Sequence, residues 1–145
     1  MVGDAGRAPV HLWIVGVAGV LWNAFGCLDY LMTQTQNEAW LAGFTPEQRA
    51  YFDSFPSWLH GFWALGVWGA LLGSLLLLMR SRHAVTAFGL SLVGLAVSTF
   101  YTRTQTTMPA GLDNGPMVAI QIVIWVAAIG FLVYAVKMRG RGVLR

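Results

Sequence analysis

The run Val10–Met32, VHLWIVGVAGVLWNAFGCLDYLM, decides the fold of this chain. It holds one carboxylate, Asp29, and no Lys or Arg. Crossing the hydrocarbon layer of a bilayer takes about 20 apolar residues in a helix, and this run is long enough. Arg7 ahead of an apolar stretch also has the outline of a secretory leader. A leader's apolar core is only about 7–15 residues and ends at a small-residue cleavage site. This run is longer and no A-x-A pattern follows it, so it reads as a retained first span.

Three more runs repeat the pattern: Trp58–Met79, Ala84–Tyr101 and Pro116–Met138. Proline is well placed at the first turn of the last one, where its missing N–H costs nothing. Composition agrees, with 57% hydrophobic and 10% charged residues, whereas soluble domains carry about 25% charged residues. The expected fold is all-α: one domain spanning residues 1–145, a bundle of four transmembrane helices. The turn Arg80-Ser81-Arg82-His83 is tight, which makes the second and third spans antiparallel neighbours.

Lys and Arg near the span ends set orientation. With the N-terminus inside, Arg7, Arg80, Arg82, Lys137, Arg139, Arg141 and Arg145 lie on the inner side, and only Arg49 and Arg103 on the outer. Both termini are therefore expected in the cytoplasm. The basic residues report topology, and nucleic acid is not an expected partner.

Between the first two spans, Thr45-Pro46-Glu47-Gln48 has the form of a capping box with proline at the first helical position. Tyr51, Phe52 and Phe55 beside Glu47, Arg49 and Asp53 suit a short helix lying in the membrane interface, ended by Pro56. The second outer loop, 102–115, is rich in Thr, Gly and Pro and reads as irregular.

Within lipid, helices associate through small residues and hydrogen bonds. The first span offers Gly16, Gly19, Asn23 and Gly26, the second Gly66, Gly69 and Gly73, and the third Ala87, Ser91, Gly94 and Ser98. The fourth is bulky and β-branched, so it should be the most lipid-exposed.

Polar groups in the bilayer are costly, and they mark the first place to look for function. Asp29, His60, Gln121 and Arg103 all fall near the outer level, and Asn23 lies deeper. Two readings stand. In one, these residues line a polar cavity open to the outside, where Asp29 and His60 relay a proton. In the other they satisfy each other at the interface: Asp29 pairs with Arg103, His60 finds a carbonyl, and Asn23 bonds across the seam between the first and third spans.

The remaining chemistry is thin. Cys27 is the single cysteine, so no internal disulfide forms, and it reads as a small core residue. No catalytic set, metal cluster or phosphate-binding glycine loop is present in the sequence. His11 and His83 lie at the inner surface and His60 near the outer, so no pair brackets a haem. No cofactor or metal is called for. Trp13, Trp40, Trp58 and Trp63 form an aromatic belt at the interfaces.

The stretch Leu21-Trp22-Asn23-Ala24-Phe25-Gly26 followed by Asp29-Tyr30, the entry Pro56-Ser57-Trp58 and the exit Gly73–Arg80 together resemble a group of small bacterial four-helix inner-membrane proteins. The resemblance covers about the first hundred residues. It implies four spans in a bacterial inner membrane and brings no established activity, although members are sometimes labelled sugar transporters. A looser likeness, of architecture alone, is to the small multidrug resistance transporters, whose first helix carries an acidic residue.

Three functions are weighed on these grounds. The leading one is a non-catalytic accessory or structural subunit, working through its small-residue faces. The second is a proton-coupled small-solute transporter acting as an oligomer. The third is a membrane redox or lipid- or quinone-binding protein. The partners implied are the lipid bilayer and either further copies of the chain or a larger membrane complex.

Overall fold

A computed structural model of the protein describes residues 7–105 and 107–145. The elements in chain order are α1 (Val10–Gln34), α2 (Glu38–Leu41), α3 (Pro46–Asp53), α4 (Ser57–Leu78), α5 (Ala84–Thr104) and α6 (Gly115–Gly140). Of these, α1, α4, α5 and α6 are long and apolar enough to cross a membrane. No strand occurs among the described residues.

The long helices pack in chain order: α1 on α4, α4 on α5, α5 on α6. The closest seam is α4 on α5, where Gly66 and Gly94 meet. A Cβ on Gly94 would stand 2.5 Å from the Phe62 carbonyl oxygen and 2.6 Å from the Gly66 nitrogen. Only glycine admits that approach. Ser91 Oγ donates across the same seam to the Gly66 carbonyl at 2.6 Å. The α1–α4 seam is similar, with Gly16 against Leu78 and Gly19 against Ser74. The hydrophobic window of α6 has no buried residue, so α6 is the lipid-facing helix.

The spans differ slightly from the expected bounds. The third ends at Thr104 rather than Tyr101. Its threonines keep it wound: Thr102 Oγ1 donates to the Ser98 and Thr99 carbonyls at 3.1 and 3.0 Å, and Thr104 Oγ1 to that of Tyr101 at 2.8 Å.

The buried apolar core lies at the end that carries the termini. Leu12, Leu77, Ala84, Phe88, Ala135 and Met138 close on one another there. The tail after α6 joins them, with Val143 and Leu144 buried in the cluster. Arg145 N–H donates to the Arg80 carbonyl at 2.8 Å, and Arg82 N–H to the Arg145 carbonyl at 3.0 Å. That clamp holds the α4–α5 turn, in which Arg80 takes a left-handed conformation at φ 57°. On the same side His11 Nδ1 meets Tyr134 Oη at 2.5 Å, joining α1 to α6.

At the other end the linking segment folds as two short helices. Asn37 caps α2 by accepting from Trp40 N–H at 3.0 Å. Thr45 and Gln48 form the expected capping box of α3, with bonds of 3.2 and 3.1 Å. Gln48 Nε2 then reaches the Ala110 carbonyl at 3.0 Å and ties α3 to the loop before α6.

Candidate functional site

Helix packing is uneven along the bundle. At the terminal end α1 touches α6 through His11–Tyr134 and through Gly19, whose Cβ position lies 3.1 Å from the Phe131 ring. Toward the loop end the two helices part, and a cavity of about 630 Å³ opens between α1, α4, α5 and α6. Phe88 and Phe131 are among its lining residues, stacked with centroids 5.7 Å apart and planes 9° apart. These two rings mark its deep end, since Phe88 belongs to the buried cluster at the termini. At the loop end Phe52 of α3 and Phe55 just after it form the roof. Trp22 and Phe25 on α1 and Ile120 on α6 line the gap and are 44%, 62% and 54% exposed. The cavity thus opens sideways between α1 and α6, on the surface that lipid would cover.

The wall is mostly apolar, and its few polar atoms are spoken for in a definite way. Asp29 Oδ1 accepts from Trp40 Nε1 at 2.9 Å, so α2 is latched to α1 by a charge-assisted bond. Phe25 packs on the same indole at 6.0 Å. His60 Nδ1 pairs with Gln34 Nε2 at 2.7 Å. With the Gln34 amide donating, Nδ1 is the acceptor and the ring's other nitrogen carries the proton. Gln121 Nε2 donates to Thr99 Oγ1 at 3.2 Å and leaves its amide oxygen free to accept. Asn23 Nδ2 bonds α4, to Ser74 Oγ at 3.0 Å and the Ala70 carbonyl at 3.3 Å. Ser98, also on the wall, has a buried Oγ with no hydrogen-bond partner.

Of the five residues singled out in the sequence, Asn23, Asp29, His60 and Gln121 line this one cavity. Arg103 does not; it is exposed in the last turn of α5. The expected Asp29–Arg103 pair is replaced by Asp29–Trp40. Asn23 bridges α1 to α4 rather than to α5. Asp29 and His60 each hold a separate partner and are not hydrogen-bonded to each other.

A second, smaller chamber of about 150 Å³ adjoins the first. Thr33, Gln34, Gln36 and Asp53 give it a polar lining, and Phe52, Phe55, His60 and Trp63 are shared with the larger cavity. Asp53 Oδ1 accepts from Gln36 Nε2 at 3.0 Å, which closes α3 down on the end of α1. The site is therefore two-part, a long apolar chamber with a small polar one beside it.

Neither Phe52 nor Phe55 was read as part of a site, and neither were Gln34 and Ser98. The i, i+3 spacing of the two phenylalanines does put them on one face of the α3 region, which was the available signal. Cys27 points away from this chemistry: its thiol donates to the Val67 carbonyl at 3.3 Å. Among the described residues, no three His, Cys, Asp or Glu side chains gather as a metal site would require. Comparisons with protein-family models, with curated proteins and with solved structures find no match.

Proposed function

We propose that this chain is a multi-pass protein of the bacterial inner membrane, with both termini cytoplasmic, that binds a membrane-dissolved small molecule in its outer half without carrying it across. The observation that carries the reading is the cavity of about 630 Å³ with its sideways opening between α1 and α6. Small-molecule sites run to about 300–1,000 Å³, mainly apolar with a few placed polar groups. A mouth on the lipid-facing surface admits a ligand already dissolved in the membrane.

Transport by the single chain has less support. Below Asn23 and Ser74 the bundle is filled by Leu12, Leu77, Ala84, Ala135 and Met138, and the tail residues Val143 and Leu144 complete the plug. A polar solute meets no polar path there. The accessory-subunit reading rested on small-residue faces, and Gly16, Gly19, Gly66, Gly69, Gly73 and Gly94 are all spent on contacts inside this bundle.

Native mass spectrometry of the protein, released gently from its own membranes, tests the reading. Ala128 lines the cavity, and Val133 on the same helix faces outward. The wild type and Val133→Trp should carry a bound small molecule, and Ala128→Trp, which fills the chamber, should have lost it. A wild type with no adduct, or an adduct that Ala128→Trp retains, would overturn the proposal.

A further inference from the structure

We infer that the end of the bundle that carries the termini is a docking surface for an anionic phospholipid, its headgroup seated on Arg82, Arg141 and Arg145 and its acyl chains along α6. The inference is independent of the cavity and of the role proposed for it.

The surface is built by the way α6 stops. Gly142 takes a left-handed conformation at φ 71°. Its N–H donates to the Arg139 carbonyl, and Val143 N–H to that of Met138, each at 3.0 Å. This pair of bonds is the Schellman motif, and it turns the chain back on the helix it leaves. Val143 and Leu144 are then buried in one cluster with Met138, Leu77 and Ala84. The backbone bonds of Arg145 to Arg80 and Arg82 fix the end of the tail against the α4–α5 turn. Arg80 Nε adds a bond to the Val143 carbonyl at 3.2 Å. Arginines of the tail and of the turn are thereby brought together, and Arg82, Arg141 and Arg145 are exposed. Topology asks only that Lys and Arg lie near the span ends. It does not ask for a tail folded under the bundle to gather them.

The charge gathered there is of one sign. Lys137 and Arg139, in the last turn of α6, are exposed as well. Among the described residues every carboxylate side chain lies toward the loop end: Asp29 late in α1, Glu38 in α2, Glu47 and Asp53 in α3, and Asp113 just before α6. A carboxylate on Arg145 itself would offset only one of the cations. Like charges held together repel, and an anion seated among them relieves the repulsion.

Location selects a lipid over an acidic segment of a protein. α6 has 26 residues and is about 39 Å long, against a hydrocarbon layer of about 30 Å. When this helix crosses a membrane its last turn stands among headgroups, so phospholipid phosphates surround these cations before any partner arrives. Clusters of Lys and Arg beside a span attract anionic headgroups in this way. A seat for the acyl chains is present too. Ile129, Val133 and Val136 of α6 are 47%, 46% and 46% exposed, and Val133 lies one turn from Lys137 on the same face.

Titration of the delipidated protein in non-ionic detergent with phosphatidylglycerol or phosphatidylcholine of the same acyl chains, read by native mass spectrometry, tests this. Phosphatidylglycerol should bind at least about tenfold more tightly, the worth of 1.4 kcal/mol. Changing Arg82, Arg141 and Arg145 together to Gln leaves the backbone bonds of the tail in place. That variant should cut the preference at least about fivefold, the worth of about 1 kcal/mol, with phosphatidylcholine binding unchanged as the sign of an intact fold. Arg103→Gln, at the loop end, should keep the full preference. A preference that the triple variant retains, or one that Arg103→Gln abolishes, would overturn the inference. Equal affinities of the wild type for the two lipids would also overturn it, and would leave an acidic protein segment as the occupant.

Discussion

Asn23 on α1 donates through Nδ2 to Ser74 Oγ on α4 at 3.0 Å, and Ser74 in turn donates to the Ala70 carbonyl at 3.0 Å. Ser74 is fully buried. This short chain of bonds sits where the open half of the bundle gives way to the closed half. It pins α1 to α4 at the level where the cavity ends. Hydrogen bonds between membrane helices contribute about 0.6 kcal/mol on average and up to about 2. Asn23→Leu should therefore lower the unfolding free energy by about 1 kcal/mol. Adding Ser74→Ala should then cost less than Ser74→Ala costs alone, in a double-mutant cycle read by denaturant unfolding in micelles.

The Gly66–Gly94 seam allows a contrast within one helix. A methyl group at Gly94 would collide with the backbone of α4, whereas one at Gly89 meets nothing within 4 Å. Backbone cannot swing aside as a side chain does. Gly94→Ala should destabilise by about 1–3 kcal/mol. Gly89→Ala should be neutral or stabilising by up to about 1 kcal/mol, as expected of alanine in a helix. Thermal unfolding of the two variants side by side checks this.

The plug at the terminal end depends on shape. Leu77 is wholly buried among Leu12, Ala84 and the tail residues, while Leu72 on the same helix is 52% exposed. Leu77→Ala should cost about 2–5 kcal/mol, the range for a large-to-small change in a packed core. Leu72→Ala truncates a side chain that is half exposed and should cost far less, in the same unfolding measurement.

The loop end is held by Gln48, which closes the capping box and bonds the Ala110 carbonyl. Gln48→Ala should lose both links at a local cost of about 0.5–2 kcal/mol. Hydrogen exchange should quicken in α3 and around Ala110 together, while α4 and α5 stay protected. Faster exchange in α3 alone would show that the bond to Ala110 does not join the two loops.

Tyr51 carries a buried hydroxyl with no hydrogen-bond partner. Burial raises its pKa above the ordinary tyrosine value, and the neighbouring Tyr101 adds to the rise. A group whose folded pKa is raised contributes its stability below the unfolded pKa and loses it as pH climbs through the folded one. Stability should therefore fall on the alkaline side, above about pH 10. Tyr51→Phe should remove that part of the loss. At neutral pH it should be neutral or stabilising, since a phenol with no partner is desolvated for nothing.

The spans were legible because apolar runs bounded by Pro9, Pro56 and Pro116 leave little choice of where a helix starts. Their ends were less legible. Thr102 and Thr104 read as loop residues, yet their hydroxyls return to the helix's own carbonyls and prolong it. The candidate site was half legible. Asn23, Asp29, His60 and Gln121 stood out because polar groups in apolar runs are costly. Their partners did not stand out. Trp40 reaches Asp29 only because α2 folds back over α1, and Gln34 meets His60 only because α1 and α4 lie side by side. Phe52 and Phe55 lie in a polar segment, where an aromatic reads as an interface anchor; the roof they make needs α3 laid across the helix ends. The buried tail at Val143 and Leu144 had no signal beyond two apolar residues among arginines.

The central claim is that the loop half of the bundle is open and the terminal half closed. Single cysteines at Ala128, a partly exposed residue of the cavity wall, and at the buried Ser74, placed in a Cys27→Ser background that keeps a donor for the Val67 carbonyl, compare the two halves directly. The quantity to measure is the rate of modification by methyl methanethiosulfonate, a small neutral thiol reagent. Ala128→Cys should react at least about tenfold faster than Ser74→Cys, because a thiol's reactivity requires access as well as ionisation. Equal rates, or a faster Ser74→Cys, would contradict the division of the bundle into an open, ligand-holding half and a sealed one.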